Sequence, residues 1–212
     1  AQASLQCRLM VIKFAAFLGL MLFQVDIAGA FLGQRMDKLV RVAVPNGLKI
    51  AAQLNSLVLL RAVYGCKQSP YLFDVYLRQV LLDFGFVQCM SEPCLFIYRC
   101  KKSVILLATF VDDLLAAATN ARIFTRFVKF LHKHADVGSA MEASLYVGLE
   151  IERLPSLGND VGPAFFCKME SYTKDLIKCA GLENCNPVST PHCDIVLSSA
   201  LQAQSDAERA RR

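Results

Sequence analysis

The sequence lacks the cysteine and histidine spacings that mark a structural zinc site. It has nine cysteines, an odd number, and no CxxC pair occurs among them. His192 and Cys193 are adjacent, but no second pair of ligands stands at a zinc-site spacing from them. We therefore expect free, mostly buried thiols in a reducing compartment, rather than a zinc module.

Apolar runs long enough to span a membrane are also lacking. The best candidate, residues 9–25, is shorter than the roughly 20 residues that a spanning helix needs, and Lys13 interrupts it. A second run, residues 104–119, carries Asp112 and Asp113 at its middle, where two carboxylates would be costly inside a bilayer. No small-residue cleavage site of a signal peptide follows the first run. A buried core is therefore favoured over a small membrane protein built on residues 9–25.

Charged residues are scarce, and apolar residues are correspondingly frequent. Of the 212 residues, 19% are charged and 55% are hydrophobic, which argues against disorder. This composition predicts either a large buried core or apolar surface that faces a partner. The net charge of +5 is compatible with nucleic-acid binding but does not establish it. Because the chain does not begin with Met, we expect a fragment or a processed product.

Hydrophobic periodicity and turn residues predict a chain of mixed helices and strands. Ser69 and Pro70 are typical of a helix start, as N-cap and first-turn residue. Short hairpins beside helices indicate an α+β fold, with helices packed on an antiparallel sheet. The predicted helices are residues 9–23, 71–84, 121–135 and 171–180, and the predicted strands are residues 22–27, 40–44, 95–98, 104–110, 114–118, 145–152 and 164–168.

Three aspartates form the candidate site. Asp112 and Asp113 lie between two apolar strands predicted to form a hairpin, and Asp26 ends a third apolar strand. Carboxylates in apolar surroundings are costly unless a positive group lies between them, and hard oxygen ligands suit Mg²⁺. Two such ions would serve phosphoryl transfer. A hairpin turn at Asp112 and Asp113 with a helix cap at Asp26 explains the same residues, and the chemistry alone slightly favours that interpretation.

Six separated blocks of sequence resemble copia-type retrotransposon reverse transcriptases, in the family's order. The block FVDD is similar to the family's YVDD box, with Phe in place of Tyr, and Cys66 stands where the family usually has Leu. The blocks are FQVDIAGAFL at 23–32, LRAVYGCKQSP at 60–70, SEPCLF at 91–96, FVDD at 110–113, YVGLEIER at 146–153 and PVSTP at 187–191. Because the blocks are ordered and numerous, the resemblance favours the metal-site interpretation of the aspartates over the turn-and-cap interpretation.

The resemblance implies an RNA-directed DNA polymerase with a role for each matching residue. Asp26, Asp112 and, less essentially, Asp113 would hold two Mg²⁺ ions, or Mn²⁺, for transfer of dNTPs onto a primer 3′-hydroxyl. Phe31 would lie under the incoming sugar and clash with a 2′-hydroxyl, although ordinary core packing also explains a phenylalanine there. The resemblance assigns the nucleotide side to Phe31, Tyr64, Lys67 and Gln68, and the primer and template side to Phe110, Val111, Tyr146 and Gly148.

The implied fold is an α+β reverse-transcriptase palm with a ferredoxin-like core and partial fingers over residues 1–191, followed by a poorly ordered extension over 192–212. The implied partners are an RNA template, a DNA primer, dNTPs and other parts of a retroelement polyprotein such as integrase or RNase H, with no membrane. The implied location is intracellular and cytoplasmic, in a virus-like particle. Because the family's domain begins well before Leu9, we expect an incomplete fingers region. A catalytically inactive remnant with the same palm is the alternative function.

Overall fold

The computed structural model describes residues 2–45, 56–155 and 163–186, and the chain divides into two compact units, Ala1–Met169 and Glu170–Arg212. The helices in the described ranges are α1 (Leu5–Leu18), α2 (Ser69–Phe84), α3 (Ala121–Leu131) and α4 (Glu170–Cys179). The strands there are β1 (Met21–Asp26), β2 (Arg41–Val42), β3 (Leu57–Val58), β4 (Val87–Gln88), β5 (Leu95–Cys100), β6 (Ser103–Phe110), β7 (Asp113–Ala118), β8 (Met141–Glu142), β9 (Leu145–Tyr146), β10 (Leu149–Leu154) and β11 (Ala164–Lys168). The predicted α+β class is confirmed.

The main sheet contains the ferredoxin-like arrangement that the resemblance implies. Its six strands lie in the order β4-β5-β6-β7-β1-β8, and every neighbouring pair is antiparallel. Along the chain, β1, α2, β6, β7, α3 and β8 follow the β-α-β-β-α-β sequence of a split βαβ fold. Strand β1 therefore lies between β7 and β8. This pairing brings residues that are distant in sequence to the same end of neighbouring strands.

An apolar cluster covers each face of the main sheet, and successive side chains of its strands belong alternately to one cluster and the other. Phe23 and Val25 of β1 belong to a core that includes the buried faces of α2 and α3. Leu22 belongs to a second core that includes the buried face of α1 and residues of β9 and β10. Burial on both sides explains why β1, β6 and β7 read as nearly continuous apolar runs.

Two predicted helix boundaries, the end of α1 and the start of α2, are wrong in detail. Helix α1 ends at Leu18 rather than at residue 23, because Gly19 adopts a left-handed conformation (φ 65°) and its N–H caps the helix. Ser69 is the first residue of α2 and not its N-cap, a position that Gln68 occupies. The buried hydroxyl of Ser69 instead donates a hydrogen bond of 2.7 Å to the carbonyl oxygen of Val63.

The strand predicted over residues 145–152 is two strands joined by a tight turn. Tyr146 of β9 pairs with Leu149 of β10, so Val147 and Gly148 form a two-residue hairpin loop. Both have positive φ, 47° and 76°, as a type I′ turn requires. Gly148 is therefore a turn glycine, and neither a bulge nor a close backbone approach accounts for it.

The remaining predictions concern the membrane and the chain's other segments. None of the helices in the described ranges is long and apolar enough to cross a membrane.

The hairpin of β2 and β3 replaces the longer strand predicted over 40–44. The PVSTP block and the predicted boundary at 191–192 fall outside the described residues.

Candidate active site at the tip of the β6–β7 hairpin

Asp26 and Asp113 are direct partners across the β1–β7 ladder. Their neighbours Val25 and Leu114 also pair, and both belong to the core beneath α2 and α3. Because side chains alternate along a strand, Asp26 and Asp113 lie on the opposite face of the sheet, towards α1 and β9. Two carboxylates that are far apart in the sequence are thus cross-strand neighbours at one end of the β1–β7 ladder.

Asp112 lies in the turn that joins β6 to β7. Phe110 pairs with Asp113, so Val111 and Asp112 are the two central residues of this turn. Val111 has a φ of 56°, which is strained for a β-branched residue. Its side chain is partly buried against the core beneath α2 and α3. The strained backbone of Val111 thus places Asp112 at the tip of the hairpin, while the side chain of Val111 packs against this core.

Tyr64 joins the turn to the segment before α2. Its hydroxyl donates a long hydrogen bond, 3.4 Å, to Oδ2 of Asp112. Partial burial raises the pKa of Tyr64, and the charge of Asp112, this hydrogen bond and the charge of Asp26 raise the same pKa further. Asp26 and Asp112 therefore both act on one phenol group, although 86 positions separate them.

Phe31 and Tyr64 form an aromatic pair beside the aspartates. Their ring centroids are 4.6 Å apart and the rings are tilted by 56°. Phe31 is 6% exposed and also makes an edge contact with Phe73 of α2, whereas Tyr64 is 64% exposed. Phe31 is therefore largely a core residue, and the exposed surface of the pair belongs to Tyr64.

Asp113 lies within electrostatic reach of Asp26 and Asp112. Burial raises the pKa of Asp113, and the negative charges of Asp112 and Asp26 raise it further. In the described ranges, no group of three or more His, Cys, Asp or Glu side chains is arranged to hold a metal ion. The hard oxygen donors nevertheless fit Mg²⁺, which binds through one or two carboxylates and completes its shell with water and phosphate oxygens.

Tyr146 attaches the β9–β10 hairpin to strands β6 and β7. It is 1% exposed, and its hydroxyl lies 3.2 Å from the carbonyl oxygen of Asp113 and 3.5 Å from that of Ala108. Burial raises its pKa far above the ordinary value, so the hydroxyl stays protonated and donates. Tyr146 thus contacts the backbone of β6 and β7 rather than an exposed ligand surface.

Gln24 is a further positioning residue that the sequence reasoning missed. Its Oε1 accepts hydrogen bonds from the backbone N–H groups of Ser144 (3.2 Å) and Leu145 (3.3 Å). These bonds attach the start of β9 to β1, two residues before Asp26. The sequence signal that could have identified Gln24 is a polar residue inside an otherwise apolar strand.

The other predicted site residues are more dispersed. Phe110 ends β6, and the guanidinium of Arg8 lies 5.3 Å from its ring centre. Lys67 and Gln68 lie in the turn that precedes α2, and within the described ranges no hydrogen bond or ion pair joins either to the aspartates. Arg61, which lies three residues before Tyr64, donates a 2.6 Å hydrogen bond to the carbonyl oxygen of Gly33.

Comparison with known proteins identifies the family. Residues 3–194 match the family model described as reverse transcriptase (RNA-dependent DNA polymerase). The chain belongs to this reverse transcriptase family. The match covers most of the chain, and it confirms the resemblance that the ordered sequence blocks indicated.

Relatives of this reverse transcriptase chain include Pol polyproteins of plant transposons. It is 28% identical over 169 residues to the retrovirus-related Pol polyprotein from transposon RE1 of Arabidopsis thaliana, covering 79% of this chain and 11% of that protein. It is 24% identical over 183 residues to the Pol polyprotein from transposon TNT 1-94 of Nicotiana tabacum, covering 85% of this chain and 13% of that protein. The chain thus spans only a small part of the relatives that it matches.

Proposed function

We propose that this chain is the palm-centred part of an RNA-directed DNA polymerase, with Asp26, Asp112 and Asp113 as its metal-binding carboxylates. The observation that carries the proposal is the β1–β7 register, in which Asp26 and Asp113 are direct partners and Asp112 stands in the adjoining turn. The influence of Asp112 and Asp26 on the pKa of Asp113 supports one shared site.

The reaction class is transfer of a deoxynucleotide onto the 3′-hydroxyl of a primer paired with an RNA template. Two Mg²⁺ ions, or Mn²⁺ in their place, would supply the positive charge that activates the hydroxyl and stabilises the leaving pyrophosphate. Asp26 and Asp112 would be the principal ligands. Burial and the charges of Asp112 and Asp26 raise the pKa of Asp113, so a cation beside it would favour its charged form.

Tyr64 and Phe31 would form the nucleotide side of the site. The exposed phenol of Tyr64 is hydrogen-bonded to Asp112, so a nucleotide bound there would meet the ring and the carboxylate together. The buried ring of Phe31 supports Tyr64 from below and would limit the space beneath the sugar. Lys67 and Gln68 would contact the nucleotide from the turn before α2.

The β6–β7 turn and the β9–β10 hairpin would form the primer side. Phe110 and Val111 flank the aspartates within the turn, and Gly148 lies at the tip of the hairpin. Tyr146 is fully buried behind them, so its role would be to hold the hairpin against the catalytic strands. Template, primer and dNTPs would be the substrates, and the remaining polyprotein segments the physical partners, within a cytoplasmic virus-like particle.

Primer extension tests this proposal directly. The protein is incubated with oligo(dT) annealed to poly(rA), labelled dTTP and Mg²⁺, and incorporation is compared with that of Asp112→Asn. We expect a loss on the order of a hundredfold or more, since ligand removal sacrifices several kcal/mol of transition-state stabilisation. The matched control is Asp37→Asn, which changes an exposed aspartate outside the site.

The assay is repeated with a chain that is longer at its N-terminus, which tests the expectation of an incomplete fingers region. Equal incorporation by the wild type and by Asp112→Asn, in either chain, would contradict the assignment of the site. Absence of incorporation from both chains would favour the alternative function, an inactive retroelement remnant that keeps the palm fold.

A further inference from the structure

A cleft of about 700 Å³ lies between the end of α2 and the outer face of α3. Four exposed cations line it, Arg122, Arg126, Lys129 and Lys133, and Asp83 is the one carboxylate among its lining residues. We propose that this cleft binds single-stranded nucleic acid at a site separate from the three aspartates. The proposal does not depend on polymerase activity.

Three of the cations, Arg122, Arg126 and Lys129, lie along one side of α3, and Lys133 follows two residues after the helix ends at Leu131. The spacing of four and three residues keeps the three helical side chains on one face, about 4.5–6 Å apart along the helix axis. The opposite face of the helix is buried in the core through residues such as Phe124, Phe127 and Leu131. A row of this kind can follow the phosphates of one strand, which also repeat at short, regular intervals.

Within the described ranges, none of the four cations forms an ion pair with a carboxylate. Asp83 accepts a hydrogen bond of 2.8 Å from Gln79 of the same helix. The lining residues therefore carry an excess of positive charge that the described part of the protein does not neutralise. A polyanion is the chemically complementary partner.

The floor of the cleft is aromatic, which favours a nucleic acid over an acidic peptide. Phe84 and Phe130 are half-buried with ring centroids 5.2 Å apart. The guanidinium of Arg126 lies 5.8 Å from the centre of the Phe84 ring. Aromatic rings and stacked guanidinium groups beside a basic groove are the combination that binds single strands, because every base has a flat face.

The cleft is distinct from the aspartate site, since its lining residues belong to the end of α2 and to residues 122–133. Helix α3 begins just after Ala118, the end of β7 that is remote from Asp113. The chain beyond α3 returns to the aspartate edge, where the carbonyl oxygen of Asp136 accepts a 2.8 Å hydrogen bond from the N–H of Ala28. A strand bound along α3 would therefore run towards the catalytic edge on the helical side of the sheet.

Fluorescence anisotropy with labelled oligo(dT), without divalent ions or dNTPs, measures this binding over a range of salt concentrations. The test variant carries Arg122→Gln, Arg126→Gln, Lys129→Gln and Lys133→Gln. The matched control removes four cations elsewhere, Lys13→Gln, Lys38→Gln, Lys174→Gln and Lys178→Gln. Circular dichroism verifies that both variants fold, as the exposure of the test residues leads us to expect.

We expect the cleft variant to bind oligo(dT) at least tenfold more weakly at low salt. The slope of log K against log salt should fall by roughly 2–3, since each phosphate contact on a single strand contributes about 0.7. The control variant should lose much less in both quantities. Equal losses in the two variants would mean that net charge alone attracts the strand, and the cleft proposal would be wrong.

Two further probes separate the possible occupants and locate the site. An abasic oligonucleotide and a poly-glutamate peptide of equal charge should both bind more weakly than oligo(dT), because neither can stack on Phe84 and Phe130. Tighter binding of the peptide would identify an acidic protein segment as the partner instead. A photoreactive thymine at the centre of the strand should crosslink to peptides that contain Phe84 or residues 122–133, and crosslinks confined to other peptides would overturn the assignment.

Discussion

The hydroxyl oxygen of Tyr146 lies 3.2 Å from the carbonyl oxygen of Asp113. This hydrogen bond joins the β9–β10 hairpin to the strand that begins with a proposed catalytic carboxylate. It also explains why a residue that the sequence assigns to the primer side is completely buried. The contribution of this hydrogen bond to stability can be measured separately from that of the packing of the Tyr146 ring.

Tyr146→Phe should lower the free energy of unfolding by about 1–3 kcal/mol, because the ring stays in place while the carbonyl oxygens of Asp113 and Ala108 lose the one hydroxyl donor that they share. Chemical denaturation measures the change. Tyr71→Phe is the control, since Tyr71 is 64% exposed, and its hydroxyl should matter little. A loss of the same size in both variants would argue against the buried hydrogen bond.

Asp113→Asn should stabilise the protein at neutral pH in the absence of divalent ions. The pKa of Asp113 is raised by burial and by Asp112 and Asp26, so the folded state binds its proton more tightly than the unfolded chain. The stability that this tighter proton binding contributes is complete below the pKa of Asp113 in the unfolded chain, about 3.9. It is lost as the pH rises through the higher pKa of Asp113 in the folded state. The benefit of asparagine should therefore disappear below about pH 4.

Thermal melts of the Asp113→Asn variant and the wild type across this pH range provide the measurement. Asp37→Asn, at an exposed position, serves as the control and should change the melting temperature little. If Asp113→Asn were less stable than the wild type at neutral pH without metal, the electrostatic description of the three aspartates would be incorrect.

Divalent ions should stabilise the wild type more than the aspartate variants. An ion that binds only the folded state contributes about 1.4 kcal/mol when present at about ten times its dissociation constant. Melting temperatures with and without Mg²⁺ or Mn²⁺ are compared for the wild type, Asp26→Asn and Asp112→Asn. Asp37→Asn should retain the wild-type response, whereas an identical response in all four proteins would indicate a metal site elsewhere.

Gly148→Ala should destabilise the protein by about 1–2 kcal/mol, because φ at this position is 76° and an L-residue is strained there. A Cβ would meet only the end of the Met169 side chain at 4.0 Å, so backbone strain is the dominant effect. Gly33→Ala is the matched control, since its φ is outside the left-handed region and its Cβ would make an ordinary 3.7 Å contact. Equal effects on urea denaturation would contradict this explanation.

The strands of the main sheet were the most predictable part of the fold. The apolar runs around Asp26 and on both sides of Asp112 and Asp113 predicted β1, β6 and β7 to within one residue at each end. The pairing of Asp26 with Asp113 was not predictable in register, because alternation along each strand does not say which residues of two distant strands meet.

Local backbone geometry accounts for most of the differences. The sequence around residues 19–23 is apolar throughout, so periodicity could not distinguish the end of α1 from the start of β1, which depends on the left-handed Gly19. The break between β9 and β10 depends on Val147, a β-branched residue with positive φ that propensity disfavours. The basic row on α3 was visible in the spacing of its arginines and lysines, but their relation to Phe84 of α2 required the tertiary structure.

The register of β1 and β7 has a consequence for how such a sequence can decay. Inserting or deleting one residue inside either strand would send each of its later side chains to the opposite face of the sheet. The same event would expose Val25 or Leu114 and separate Asp26 from Asp113, so the hydrophobic core and the carboxylate pair would fail together. Point substitutions at the exposed Asp26, by contrast, could abolish chemistry and leave the fold intact. Loss of activity by drift is therefore expected to precede loss of structure when substitutions outnumber length changes.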